Sequence, residues 1–348
     1  MMTKSLLTLA LTVSLSFTYM ISAFADTTTP GPGQPDTWTV SETKSAEELL
    51  LEQQALAEQQ ALAQQQALAQ QQALAEQQAL AQQQAWEAQQ AALQQALEIQ
   101  AAQQAALQEQ QQHQIEIGNY FKDSVLVGDS VALGFSNYAA KHSALPIFQN
   151  LQFLTAGSFS VHNAFSAISS KSKHPMYKGQ QRFIWDSINM MGAKHVYTFF
   201  GLNDLYAGVE NTAAKYLQLL MQIKAVNPDI DYTIISTTPM YKGSEKKGLN
   251  NANIRALNAS MAQIAAENGW GFIDVASLLT DSEGCLAKQY CSDSYVHETN
   301  AAYVIWQTAL EKYAEDRLEV EKSETATAES MSEEATQSSE TQQNTVQY

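Results

Sequence analysis

Cysteine is almost absent from this 348-residue chain: there are two, Cys285 and Cys291, with neither a second pair nor suitably spaced histidines to complete a zinc site. Long apolar runs are equally scarce. After Leu6–Ile21 none approaches the roughly 18 residues that a membrane span needs, so no further span is expected. Lys and Arg are missing from Ala46 through Ile117, which holds nine acids, and from Glu315 onward there are nine acids against two bases. Between Gly118 and Ala314 the counts are fifteen and fifteen. The net charge of −17 therefore belongs to the flanks; it argues against nucleic acid as a partner and says nothing about a substrate.

The run that is present begins after Lys4 and closes on Ala23-Phe24-Ala25, the form of a secretory signal with a small-x-small cleavage site. Residues 1–25 are expected to be removed on export, leaving a secreted or extracellular protein that could also attach to the cell surface. Export permits disulfides, and a local Cys285–Cys291 bridge is expected on that ground. Residues 26–45, with Pro30, Pro32 and Pro35 among Thr and Gly, read as an extended linker. Ser45 and Glu48 then have the spacing of a capping box, which places a helix start there.

From Leu50 the unit Ala-Leu-Ala-(Gln/Glu)-Gln-Gln repeats every six residues and sets Leu56, Leu62, Leu68, Leu74 and Leu80 at one phase. These are strong helix formers, so residues 46–117 form a Gln/Ala/Leu-rich helical arm, with Gly118 positioned to end it. Six residues advance about 600°, so each leucine falls about 120° behind the last and no simple coiled-coil seam results. Past Trp86 the spacing of Leu93 and Leu107 suits a coiled coil better. A spacer arm, a self-associating segment and a Gln-rich β-aggregating segment all remain open. After Glu315 the Glu/Ser/Thr/Gln-rich tail, 315–348, is expected to be disordered.

Residues 118–314 alternate short apolar runs with helical stretches. Strands are expected at Val125–Val127, Leu151–Leu154, His195–Phe200, Tyr232–Ser236 and Phe272–Val275. Helices are expected at Ala132–Lys141, Phe183–Met191, Ala213–Val226, Asn251–Asn268 and Ala301–Tyr313. Such spacing implies right-handed crossovers, an α/β domain with a parallel sheet, and a site along the sheet's carboxyl edge. Four loops at that edge carry polar residues: Gly128-Asp129-Ser130, Thr155-Ala156-Gly157-Ser158, Gly201-Leu202-Asn203-Asp204, and a loop from Asp293 to His297. A serine where strand gives way to helix meets unpaired backbone N–H groups, which favour an oxyanion, and needs an imidazole to take its proton.

In these four blocks the chain resembles the SGNH branch of the GDSL esterase/lipase family, over about 195 residues. The resemblance implies a three-layer α/β/α, flavodoxin-like hydrolase domain without metal or organic cofactor. It implies Ser130 as nucleophile, His297 as general base, and an oxyanion hole of the Ser130 and Gly157 N–H groups with the Asn203 amide. The family's acid stands three residues before the histidine. Here that position is Ser294, so Asp293, four before, takes the acid role from a bulged loop, or a backbone carbonyl orients the imidazole instead. Asp129 and Asp204 read as structural, and His142, His162 and His174 lack a matching acid.

The leading expectation is an exported serine esterase that removes acetyl or other short acyl groups from an extracellular or cell-wall carbohydrate. An O-acyltransferase acting on peptidoglycan shares the same acyl-enzyme, and a surface scaffold with a non-catalytic domain of this fold is the third reading. Tyr206, Tyr241 and Tyr295 could stack on sugars. The three lysines of Lys171–Gln180 could meet an anionic polymer or form a solvated face.

Overall fold

The computed structural model describes residues 45–345; the expected signal segment and all but the last residue of the linker lie outside them. Clustering of contacts divides the chain into two units, 1–91 and 92–348. Helix α1 (Ala46–Tyr120) begins in the first and ends in the second.

Its start is the expected capping box. The Ser45 backbone N–H donates to Glu48 Oε2 at 3.0 Å, and the Glu48 N–H donates to Ser45 Oγ at 3.3 Å. Leu56, Leu62, Leu68, Leu74 and Leu80 are each more than half exposed, as a step of about 120° per leucine requires. Gly118 does not end the helix, which runs on to Tyr120. A side chain at Gly118 would collide with Pro146, so this glycine serves close packing and not termination.

The second unit is built on five parallel strands: β1 (Ser124–Gly128), β2 (Gln152–Thr155), β5 (His195–Phe199), β6 (Asp231–Ile235) and β7 (Gly271–Ile273). Two short strands, β3 (Met176–Tyr177) and β4 (Gln180–Gln181), pair as a separate hairpin. The parallel sheet has the order β2-β1-β5-β6-β7, so the direction of winding reverses beside β1. A ligand site is expected outside the carboxyl ends of the strands at such a switch point. All five residues of β1 are buried, as befits a strand covered on both faces.

Helices α2 (Ser130–Lys141), α3 (Pro146–Asn150), α4 (Ile184–Met191), α5 (Val209–Val226), α6 (Asn251–Glu267), α7 (Val275–Leu279) and α8 (Asn300–Thr345) complete the domain. The two faces of the sheet can be read from successive aromatics where β5 ends. Phe199 packs on Trp306 of α8 at 4.8 Å between ring centres, whereas Phe200 packs on Tyr216 of α5 at 5.4 Å. Helix α2 touches α8, and α5 touches both α4 and α6, which gives three layers. The short α3, α7 and the β3–β4 hairpin carry too little periodicity to be legible beforehand.

Where a disordered tail was expected, α8 continues from the domain as far as Thr345. Poverty in large apolar residues rules out a core but not a helix, and from Asn300 onward the chain has no glycine or proline. Lys312 pairs with Asp316 at 2.7 Å, Glu315 with His113 at 3.2 Å, and Lys322 with Glu116 at 2.8 Å, so the first turns of this extension are tied to themselves and to α1. Among the described residues no helix is long and apolar enough to cross a membrane.

Candidate active site

Ser130 is the first residue of α2, directly after β1. A side chain on Gly128 would meet Ala132 and the Phe199 carbonyl, so only glycine lets the helix start this close to the sheet. Asp129 caps α2: its carboxylate accepts the Val131 N–H at 2.8 Å. The Ser130 hydroxyl is thereby held at the carboxyl edge, next to the unpaired N–H groups of the helix start.

His297 arrives from the loop before α8. Its Nε2 lies 3.0 Å from Ser130 Oγ and its Nδ1 lies 2.5 Å from Asp293 Oδ2. Since the carboxylate can only accept, Nδ1 carries the proton and Nε2 is left with its lone pair toward the serine. The four-residue spacing works because the loop winds around the acid. Asp293 Oδ1 accepts the backbone N–H groups of Tyr295, Val296 and His297 at 2.8, 3.1 and 3.1 Å, and Ser294 turns the chain at φ 57°. Burial pushes the Asp293 carboxyl up, but the His297 imidazole and these amides outweigh it and leave the acid below its usual range.

Loop closure does not involve a disulfide, and that expectation is corrected: Cys285 and Cys291 are both free. Each sulfur faces a partner of its own. Asn251 Nδ2 approaches Cys285 Sγ at 3.4 Å, and Cys291 Sγ stands 3.8 Å from Asp293 Oδ1. Backbone bonds hold the segment instead, Ser292 N–H to the His297 carbonyl at 2.9 Å and Tyr241 N–H to the Tyr295 carbonyl at 2.8 Å.

Gly157 and Asn203 come to the same edge. The Ala156 N–H donates to the Gly128 carbonyl at 3.2 Å, which brings the loop after β2 alongside the turn carrying Ser130. No atom lies within 4 Å of where a Gly157 side chain would begin, so the space above it is open. The Asn203 amide donates to Asp129 Oδ2 and to the Phe159 carbonyl, both at 3.3 Å. These long bonds fix the amide between the two loops. Asp129 is fully buried, and burial pushes its carboxyl up to about 7 despite the Val131 amide.

Two features were not legible in the sequence. His162, set aside for lack of a matching acid, has one: its Nδ1 lies 2.9 Å from Asp204 Oδ1, and the same oxygen accepts the His162 N–H at 3.3 Å. This pair ties the loop carrying Gly157 to the loop carrying Asn203. Glu298, next to His297, is also buried, and burial pushes its carboxyl up to about 8. No local pattern marks either feature; each depends on which strands become neighbours. Tyr206 is largely exposed beside His162, whereas Tyr241 and Tyr295 are half-buried. Among the described residues no three His, Cys, Asp or Glu side chains cluster closely enough to hold a metal ion.

Comparison with known proteins places this geometry in context. Residues 126–305, a little over half of the chain, match the model of the GDSL-like lipase/acylhydrolase family, and Ser130, Gly157, Asn203, Asp293 and His297 all fall in that range. No curated protein matches the chain. Solved structures similar to it include a GDSL-like lipase from Bacteroides thetaiotaomicron, at 16% identity over 56% of this chain and 88% of that one, TM-score 0.42. A lipase/acylhydrolase from Enterococcus faecalis shares 13% over 56% and 96%, TM-score 0.41. A catalytic mutant of an acetylxylan esterase from Geobacillus stearothermophilus shares 12% over 55% and 93%, TM-score 0.41. With the family match spanning the strand that delivers the serine and the loop that delivers the histidine, the chain belongs to the GDSL-like lipase/acylhydrolase family and is an ester-bond hydrolase.

Proposed function

We propose that the protein is a secreted serine esterase that removes short acyl groups, acetyl foremost, from an extracellular carbohydrate through an acyl-enzyme. The observation that carries this reading is the continuous chain from Ser130 Oγ through the His297 ring to Asp293, with steps of 3.0 and 2.5 Å. In the first step Ser130 Oγ attacks the ester carbonyl while its proton passes to His297 Nε2. Negative charge gathers on the carbonyl oxygen, where the Ser130 and Gly157 N–H groups would donate and the Asn203 amide would join them by giving up one of its two 3.3 Å bonds. The tetrahedral adduct collapses, the alcohol departs with the proton from His297, and the acyl group stays on Ser130. Water then attacks the acyl carbon and gives its proton to His297, which passes it to Ser130 Oγ as the acyl–oxygen bond breaks and the acid is released.

Asp293 keeps the imidazole in the tautomer that accepts from serine and stabilises the imidazolium between the steps. A site of this kind must admit a bulky alcohol while binding a small acyl group. His297 is 44% exposed and Asp293 34%, which suits an ester on the surface of a polymer better than a buried lipid chain. Export rests on the sequence of residues 1–25, and the helical repeat would act as a spacer or a self-associating segment.

The test is turnover of p-nitrophenyl esters of increasing chain length. Acetate is expected to be hydrolysed fastest, with activity abolished by a serine-reactive phosphonate and by Ser130→Ala. Equal turnover in Ser130→Ala would overturn the mechanism. Transfer of acetyl to an added oligosaccharide in preference to water would make the enzyme an acyltransferase.

A further inference from the structure

Beside Gly157 opens a cleft of about 390 Å³. Thr155, Ala156 and Gly157 line one part of it; Lys173, His174 and Gln181 line another. Thr155 is the last residue of β2 and is level with Gly128, and Ala156 and Gly157 follow it. The cleft therefore adjoins the edge where Ser130 acts.

Three observations bear on what it takes. The first is charge. From Ser130 through Trp185 the chain has no Asp or Glu at all, but it has Lys141, Lys171, Lys173, Lys178 and Arg182. The rest of the domain has fifteen acids against ten bases and the flanks are acidic, so this segment is a basic island. Among the described residues Lys171, Lys173 and Lys178 form no ion pair, in contrast to Lys194, Lys242 and Lys312.

The second is rigidity. Ser172 and His174, on either side of Lys173, are both fastened to Gln181. Its Nε2 donates to the Ser172 carbonyl at 3.0 Å and to the His174 carbonyl at 3.2 Å, while the Ser172 hydroxyl donates to its Oε1 at 2.8 Å. The backbone that carries Lys173 is thus fixed before any ligand arrives, which lowers the entropy lost on binding.

The third is a fixed wall. His174 is 2% exposed. Its Nε2 lies 2.8 Å from the Ser166 carbonyl, which can only accept, so Nε2 carries the hydrogen. Phe159 and Phe183 pack against the ring. The ring is closed off from a ligand, so within the cleft the charged contact left to offer is Lys173.

We propose that this cleft is a subsite for a carboxylate-bearing sugar adjoining the acylated residue of the substrate, with Lys173 as the cation that selects it. The word substrate rests on the esterase reading; the binding of the sugar does not. Both a uronic acid and an amino sugar with a lactyl ether present that carboxylate, and the arms of the test separate them.

Binding is measured by calorimetry on the full chain carrying Ser130→Ala, at low and at moderate salt. The ligands are hexagalacturonate, peptide-free glycan strands containing N-acetylmuramic acid, and neutral xylohexaose. One of the two anionic ligands is expected to bind more tightly than xylohexaose, with an advantage that shrinks as salt rises. Adding Lys173→Ala is expected to weaken that ligand by roughly threefold to tenfold, at an unchanged melting temperature. Lys178→Ala, at the turn between β3 and β4 outside the cleft, is the control and is expected to have no such effect.

Equal binding of neutral and anionic ligands, no binding of either anionic ligand, or equal losses from Lys173→Ala and Lys178→Ala would overturn the proposal. Turnover of p-nitrophenyl acetate by the unmodified chain is measured alongside. If that is absent while Lys173-dependent binding persists, the esterase reading fails and the subsite stands.

Discussion

Asp293 accepts three hydrogen bonds from its own loop's backbone and one from the His297 ring, with the Cys291 thiol a weaker fifth contact. Its carboxylate is therefore the nucleus of the loop and, in the proposed mechanism, the orienting acid as well. Asp293→Asn keeps the shape but can present an N–H where His297 needs an acceptor. Its kcat is expected to fall by about 10²–10⁴, less than the order of 10⁶ for Ser130→Ala, in steady-state assays on p-nitrophenyl acetate. Asn203→Ala is expected to lower kcat by about 10²–10³ with little change in KM, because its amide would act on the charge that develops after binding. A rise in KM alone would assign Asn203 to the binding of substrate. Ser130, His297 and Asp293 could be picked out in advance as candidates because they lie in loops that the strand pattern brings to one edge. The His162–Asp204 pair could not, since the two residues are 42 positions apart and meet only through the packing of the loops after β2 and β5.

At the scale of elements, local rules placed starts and strands well and ends badly. The capping box at Ser45 and the five strands of the sheet emerged where propensity and periodicity put them. Gly118 does not stop the helix because its role is contact with Pro146, and α8 runs on into the acidic tail because poverty in large apolar residues argues against a core and not against a helix. A spacing of five residues between Cys285 and Cys291 likewise says nothing about where the sulfurs point. The loop from Cys291 to His297 offers its own test at Ser294, a non-glycine residue at φ 57°. Ser294→Val forces a β-branched residue into that region and is expected to cost about 1–2 kcal/mol and to lower kcat as the wrap around Asp293 loosens. Ser294→Gly is expected to keep or raise the melting temperature. Thermal melts of the two variants check this, and equal destabilisation by both would remove backbone strain as the reason.

For the molecule as a whole, buried carboxyls set the dependence of stability on pH. Burial pushes Asp129 up to about 7, with the negative charge of Asp204 adding to it, and Glu298 up to about 8, with Asp129 adding to it. In the unfolded chain such groups lose their protons near pH 4. Between about 4 and 8 the folded protein therefore holds protons that the unfolded chain has released, and stability falls as pH rises through that window. Asp293 acts in the opposite sense: its lowered carboxyl contributes stability at neutral pH that is lost only as pH drops below the usual carboxylate range. The melting temperature is thus expected to be higher at pH 5 than at pH 8, and Glu298→Gln is expected to flatten the decline. A melting temperature that climbs from pH 5 to pH 8 would contradict it. By itself the sequence determined the long helix, the alternation that makes a parallel sheet, and the loops that carry Ser130, Gly157, Asn203 and His297, because propensity, periodicity and chain order are local properties. Only the tertiary structure decided how Asp293 reaches the imidazole from four residues away, that the sulfurs stay apart, and that Lys173 stands over a cleft beside Gly157. Those are distances between side chains, and they exist only once the strands have chosen their neighbours.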